Sequence, residues 1–202
     1  MTETAVAEGA RERILAAAVE RIATDGIDDV RIARIAMDAG VSTSLVHYHF
    51  ETREALLEQA LEYSFELAGD VRIGDEEGDA PNHTARLAAM VDQCLPYPAL
   101  RADWILWVEL WLRAVRHAEL RPTAARLYAR MHRWFADAIA AGAEAGEFDP
   151  SADAERVADR VLALCDGYGV RALLGDLSVE RAREEIWAVC AEELGLDPAP
   201  LT

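Results

Sequence analysis

Along nearly all of its 202 residues the chain repeats apolar side chains at three- and four-residue spacing, and nowhere does apolar–polar alternation run between turn residues as a half-buried strand requires. That period points to helices throughout, so an all-α fold is expected before any residue is singled out. The first helix spans 10–25 and stops at Asp25-Gly26, where glycine tolerates a left-handed cap; Ile14, Leu15, Ala18, Val19 and Ile22 share one stripe. A short second helix starts near Arg31. Ala39-Gly40-Val41-Ser42 then breaks the pattern, because Gly40 can take positive φ at the end of one helix and Ser42 is a natural N-cap for the next. Two short helices joined by so tight a turn must cross steeply. Thr52 caps a long fourth helix carrying Leu56, Leu57, Ala60, Leu61 and Phe65 inward.

A Gly- and acid-rich stretch from Gly69 to Pro81 reads as a solvated loop. Beyond it, a body of about six helices is expected over 83–95, 99–117, 121–145, 152–174 and 178–195, with 99–117 divisible into two pieces. The breaks are Pro96 and Pro98, Pro122 inside a first turn, Gly146 and Gly175. The expected domains are a three-helix headpiece, 1–54, joined by the long fourth helix to a body, 55–202. No apolar stretch approaches the roughly 18 residues a membrane span needs, and Met1 to Gly9 lacks the apolar run of a secretory signal. A cytoplasmic protein without a membrane partner is expected.

The net charge of −17, with every basic residue an arginine, argues at first sight against a polyanionic partner. The acid lies mostly elsewhere: residues 1–54 hold six arginines against ten acids, and 55–202 hold fourteen against twenty-seven. Within 30–53, Arg31, Arg34 and Arg53 face only Asp38 and Glu51, and His47 and His49 can add charge beside phosphate. Such a chain should bind DNA through a narrow positive strip and hold non-specific DNA poorly. Cys94, Cys165 and Cys190 are odd in number and widely spaced, which suggests buried free thiols rather than a disulfide framework or zinc site. No phosphate loop, Gly-x-Ser-x-Gly or His-Glu-x-x-His is present, so neither an enzyme nor a cofactor or metal protein is expected.

Residues 31–54 carry the functional signal. Ile35-Ala36, Ala39-Gly40-Val41-Ser42, Tyr48-His49-Phe50 and Ala55-Leu56-Leu57 fall in register with the DNA-binding signature of the TetR family, which the chain closely resembles over 10–68. Over 84–195 it is similar to the betaine-regulator (BetI-type) ligand-binding body. The resemblance implies a homodimeric transcriptional regulator, a repressor that binds a palindromic double-stranded DNA operator and is released by a small-molecule effector. It departs from the family at Arg31, where a Thr usually opens the second helix, at His47, where a Tyr is common, and at Arg53, where Lys is usual.

The residues support the same assignment physically. Ile32, Ile35, Ala36, Val41, Leu45 and Phe50 can form a small core, leaving Ser42, Thr43, Ser44, His47 and Tyr48 exposed on the third helix. Small hydroxyl residues at a helix start let the backbone approach the major groove and donate to phosphate or base edges. Tyr48 and His49 would reach phosphates, and Thr52 with Arg53 would anchor the DNA backbone, while Arg31 offers a charged contact in place of a hydroxyl. Ser42 as a cap alone, and Tyr48 as a partly buried residue, are open alternatives. His47 and His49, two apart on a helix, point to different faces and make a poor metal pair.

In the body, Trp104, Trp107, Glu109 and Trp111 interleave on one helix, and Tyr128, Met131, His132 and Trp134 crowd the next. The resemblance implies an effector cavity here, between 99–117 and 121–145, for a mostly apolar or aromatic molecule. A positive charge on it would be met by Trp faces and by Glu109, Asp103 or Asp166. The same stripe is also what a plain core shows. The resemblance further places a four-helix dimer interface on the last two segments, through Val157, Val161, Leu164 and Tyr168 and through Ala182, Ile186 and Val189. The alternative function is a helical ligand-binding or interaction module without DNA binding, which the acidic balance alone favours.

Overall fold

The computed structural model describes residues 3–74, 80 and 82–197, with side chains over 9–64, 80, 82–118 and 120–197. Among the described residues there are nine α-helices and no strand: α1 Glu3–Asp25, α2 Ile32–Asp38, α3 Thr43–His49, α4 Arg53–Gly74, α5 His83–Gln93, α6 Arg101–Arg116, α7 Arg121–Glu144, α8 Ala154–Leu173 and α9 Val179–Leu194. The all-α expectation holds.

Three boundaries differ from the sequence reading. Helix α1 begins at Glu3 rather than at 10, since Ala-rich sequence propagates a helix once it is nucleated. Helix α4 continues through Gly69 to Gly74, because one glycine costs a helix only about 1 kcal/mol; the rest of the expected loop, 75–79 and Pro81, lies outside the described residues. Beyond α4 the described residues hold five α-helices rather than six, because 99–117 is a short 3₁₀ turn, Pro98–Leu100, followed by the single helix α6.

The chain divides into two compact units, 1–70 with 105–124 and 71–104 with 125–202, so the division falls within α4, α6 and α7. In the first unit α1 packs on α2 and α3. Its buried side chains include Ile14, Leu15, Ile22, Ile35, Val46, Phe50, Leu56 and Leu57. Val46 fills the position expected of Leu45, which is only half-buried.

In the second unit α8 packs along α9, and α5 against α9. The core there unites Leu87, Val91 and Leu95 with Trp134, Phe135 and Ile139 of α7, Val157 and Val161 of α8, and Ile186, Trp187 and Leu194 of α9. Each such side chain contributes about 1.5–3 kcal/mol on burial. Two glycines permit close approaches: a Cβ on Gly142 would strike the Phe148 ring, and one on Gly169 would strike the Trp104 indole. Cys94, Cys165 and Cys190 are free and buried in this core, as expected.

Candidate DNA-contact surface and effector cleft

The turn between α2 and α3 follows from Gly40, whose φ of +66° is the left-handed conformation that glycine tolerates best. The Val41 N–H donates to the Ala36 carbonyl at 2.9 Å, closing the end of α2, and the Leu45 N–H donates to Ser42 Oγ at 3.2 Å, opening α3. Ser42 is therefore a cap, yet it remains exposed, as do Thr43, Ser44 and His47 beside it. Tyr48 is 80% exposed, which excludes the partly buried alternative for its ring. His49 differs: its ring is half-buried beside Phe50, with Nε2 enclosed and lacking a hydrogen-bond partner, so Tyr48 is the freer of the two to reach a phosphate.

Arg31 is exposed at the start of α2, where it provides no side-chain cap. Thr52 is exposed and accepts from the Ala55 N–H at 3.0 Å, capping α4. Arg53 is placed otherwise than expected. Its Nε donates to the Val30 carbonyl at 3.0 Å, and its Nη2 to the carbonyls of Ile27 at 2.6 Å and Asp28 at 2.9 Å. Its guanidinium therefore braces the loop between α1 and α2, and what it offers an outside phosphate is correspondingly reduced. Other arginines serve as braces too: Arg21 pairs with Asp38 at 2.9 Å, and Arg11 lies over the Phe50 ring while donating to Gln59 at 2.7 Å. The sequence reading missed these roles, since an arginine's partners are set by tertiary approach.

The aromatic residues of the body separate. Trp107, Glu109 and Trp111 belong to the first unit, where the two indoles lie 5.8 Å apart and burial pushes the Glu109 carboxyl up, against the pull of Arg113 and with a further push from Asp28. Trp104, Tyr128, Met131, His132, Trp134 and Asp166 belong to the second. Trp104 and Trp134 are each 5% exposed and Met131 packs against the core, so these three follow the plain-core alternative.

Tyr128, His132 and Asp166 instead line an open cleft of about 490 Å³ between α7 and α8, together with Ala129, Asp159, Leu162 and Ala163. The Tyr128 hydroxyl donates to Asp166 Oδ2 at 2.7 Å. His132 Nε2 lies 3.2 Å from Asp159 Oδ1, and Nδ1 lies 3.4 Å from Glu155 Oε2. Burial pushes the Asp166 carboxyl up to about 6, with the Tyr128 hydrogen bond opposing it. Asp159 and Leu162 were missed, although 159, 162 and 166 share a helical face; in so acidic a chain one more aspartate carries no signal.

The proposed dimer faces need correction. Val157, Val161, Ala182 and Ile186 are at most 1% exposed within a single chain, so they have no area left to bury against a second copy. They face each other as the α8–α9 core, because the most apolar stripe of each helix is used within the chain first. Leu164, Tyr168 and Val189 remain half-buried, and Leu174, just past α8, is 78% exposed.

Residues 14–60 match the family described as bacterial regulatory proteins of the tetR type, and 83–195 match the BetI-type transcriptional repressor C-terminal family. A relative named HTH-type transcriptional regulator BetI, from Brucella abortus, is 26% identical over 168 residues, covering 82% of this chain and 80% of its own. A TetR-family regulator structure from a Rhodococcus species is 32% identical with a TM-score of 0.75, covering 93% of this chain and 99% of its own. A regulator from Saccharomonospora viridis, solved in complex with choline, is 31% identical with a TM-score of 0.80, covering 92% and 97%.

Proposed function

Because the chain belongs to the TetR family of bacterial transcriptional regulators, with a BetI-type C-terminal domain, we propose that it is an effector-released repressor reading a palindromic operator as a homodimer. Residues 1–54 read the DNA and 55–202 hold the effector and the dimer contacts. The observation that carries the reading is the face of α3: Ser42, Thr43 and Ser44 at its start, with His47 and Tyr48 beyond, all exposed and all small or polar where a helix meets a major groove. Arg31 and Tyr48 supply phosphate contacts, Thr52 supports them, and His49 and Arg53 chiefly hold the surface in shape.

The effector in this reading is a small organic cation. The choline-bound relative and the acidic cleft both support that class over a neutral aromatic one. Release requires that the effector bind more tightly to a conformer whose two α3 helices no longer match successive major grooves; equal affinity for both conformers would shift nothing.

The test is a gel shift of the full-length protein with DNA adjoining its own gene. Retardation that choline relieves is expected, and Thr43→Ala should alter the preferred operator sequence while leaving the fold intact. Absence of a shifted band with any fragment of that region would favour the module that binds ligand without DNA.

A further inference from the structure

We propose that the α7–α8 cleft seats an organic monocation directly against the Asp166 carboxylate, and that when Asp166 starts protonated the binding step releases its proton to solvent. This rests on the effector reading above and adds the site and its coupling to pH. Asp166 is mostly buried, its hydrogen-bond partner is the Tyr128 hydroxyl, and among the described residues no arginine offsets its burial. The chain contains no lysine to do so. His132, the positive candidate in the lining, is already shared between Glu155 and Asp159. The unliganded cleft therefore carries a carboxyl group short of one countercharge, in a space of about 490 Å³ that admits a small ammonium ion with its water.

Among the described residues, the titratable groups that line the cleft with Asp166 are Tyr128 and His132 from α7 and Asp159 from α8. Next to it in the chain is the buried thiol of Cys165, which a hydrogen bond with Cys94 and burial push well up, and burial holds the nearby Cys190 up at about 12, so neither Cys165 nor Cys190 offers a charge at neutral pH. With its carboxyl held up to about 6, Asp166 is neutral in mild acid and ionised at pH 8. The balance is simple: the O–H bond of the carboxyl breaks, the proton goes to buffer, and the carboxylate receives the cation. Affinity should fall about tenfold for each pH unit below 6 and level off above 7.

Calorimetry on the full-length protein would use choline, tetramethylammonium and the neutral choline isostere 3,3-dimethylbutan-1-ol from pH 5 to 8, in buffers of differing ionisation enthalpy. The expected result is binding of both cations and not of the alcohol, with close to one proton released per cation at pH 5. Asp166→Asn should weaken the cations at least tenfold at pH 8 and flatten the pH profile, while His132→Gln should keep the slope. Should Asp166→Asn fail to fold, Tyr128→Phe serves instead: loss of the hydroxyl that favours the carboxylate should move the midpoint of the profile upward. A slope that survives in Asp166→Asn, equal binding of the alcohol, an unmoved midpoint in Tyr128→Phe, or no cation binding at all would overturn the proposal. If operator DNA is bound and then released by uncharged compounds alone, this inference fails while the repressor reading stands; if no DNA is bound, the repressor reading fails whatever calorimetry shows.

Discussion

Arg53 ties the start of α4 to the carbonyls of Ile27, Asp28 and Val30, three acceptors that would otherwise have to find water. Arg53→Ala is therefore expected to destabilise the headpiece by about 1–3 kcal/mol, since it deletes hydrogen bonds from a charged donor and strands part of their acceptors. Arg53→Lys should recover less than half, because an ammonium cannot fork to three carbonyls as a guanidinium does. Thermal unfolding followed by circular dichroism checks this. If both variants melted with the parent while only DNA affinity fell, the residue would be a phosphate contact and not a brace. His49 makes a similar point on a smaller scale, since its Nε2 is turned into the protein while its neighbour Tyr48 stands in solvent.

At the scale of a helix, the most apolar face of α8 and of α9 is consumed within the chain, and only α8 keeps large half-buried side chains, Leu164 and Tyr168, beside it. Val161→Asp or Ile186→Asp thus introduces a charge into a fully buried site and should unfold the second unit, at a cost of several kcal/mol, whatever the oligomeric state. Leu164 and Leu174 lie on what remains. If the dimer uses α8, Leu164→Asp with Leu174→Asp should give a folded monomer in sedimentation, with near-parental helicity and weakened operator binding. A folded dimer in that double variant would place the interface elsewhere. Helix α3 shows how little an element needs when its ends are fixed: seven residues persist between the Ser42 cap and buried Phe50, and replacing Ser42 by Ala would forfeit about 0.5–2 kcal/mol of that support.

For the molecule as a whole, the raised Asp166 carboxyl makes stability depend on pH in a definite direction. Between its ordinary value of 3.8 and the folded value of about 6, the folded chain holds a proton that the unfolded chain has lost, so this group's contribution falls as pH rises through that window. Above it the folded protein carries a penalty on the order of 2 kcal/mol, and Asp166→Asn should raise the melting temperature at pH 8 while leaving it nearly unchanged at pH 4. A variant no more stable than the parent at pH 8 would mean that the carboxylate is already compensated. The fold class, the α2–α3 turn at Gly40, the Ser42 and Thr52 caps and the exposed face of α3 were all legible in the sequence, because period, positive φ and capping act over a few neighbouring residues. The sequence could not show that Arg53 is spent on a loop twenty-odd residues away, that Trp104 packs on Gly169, or that Val161 and Ile186 face each other rather than a second copy. Those outcomes depend on which of several equally apolar or equally charged surfaces meet first, and that is decided by distances between residues far apart in the chain.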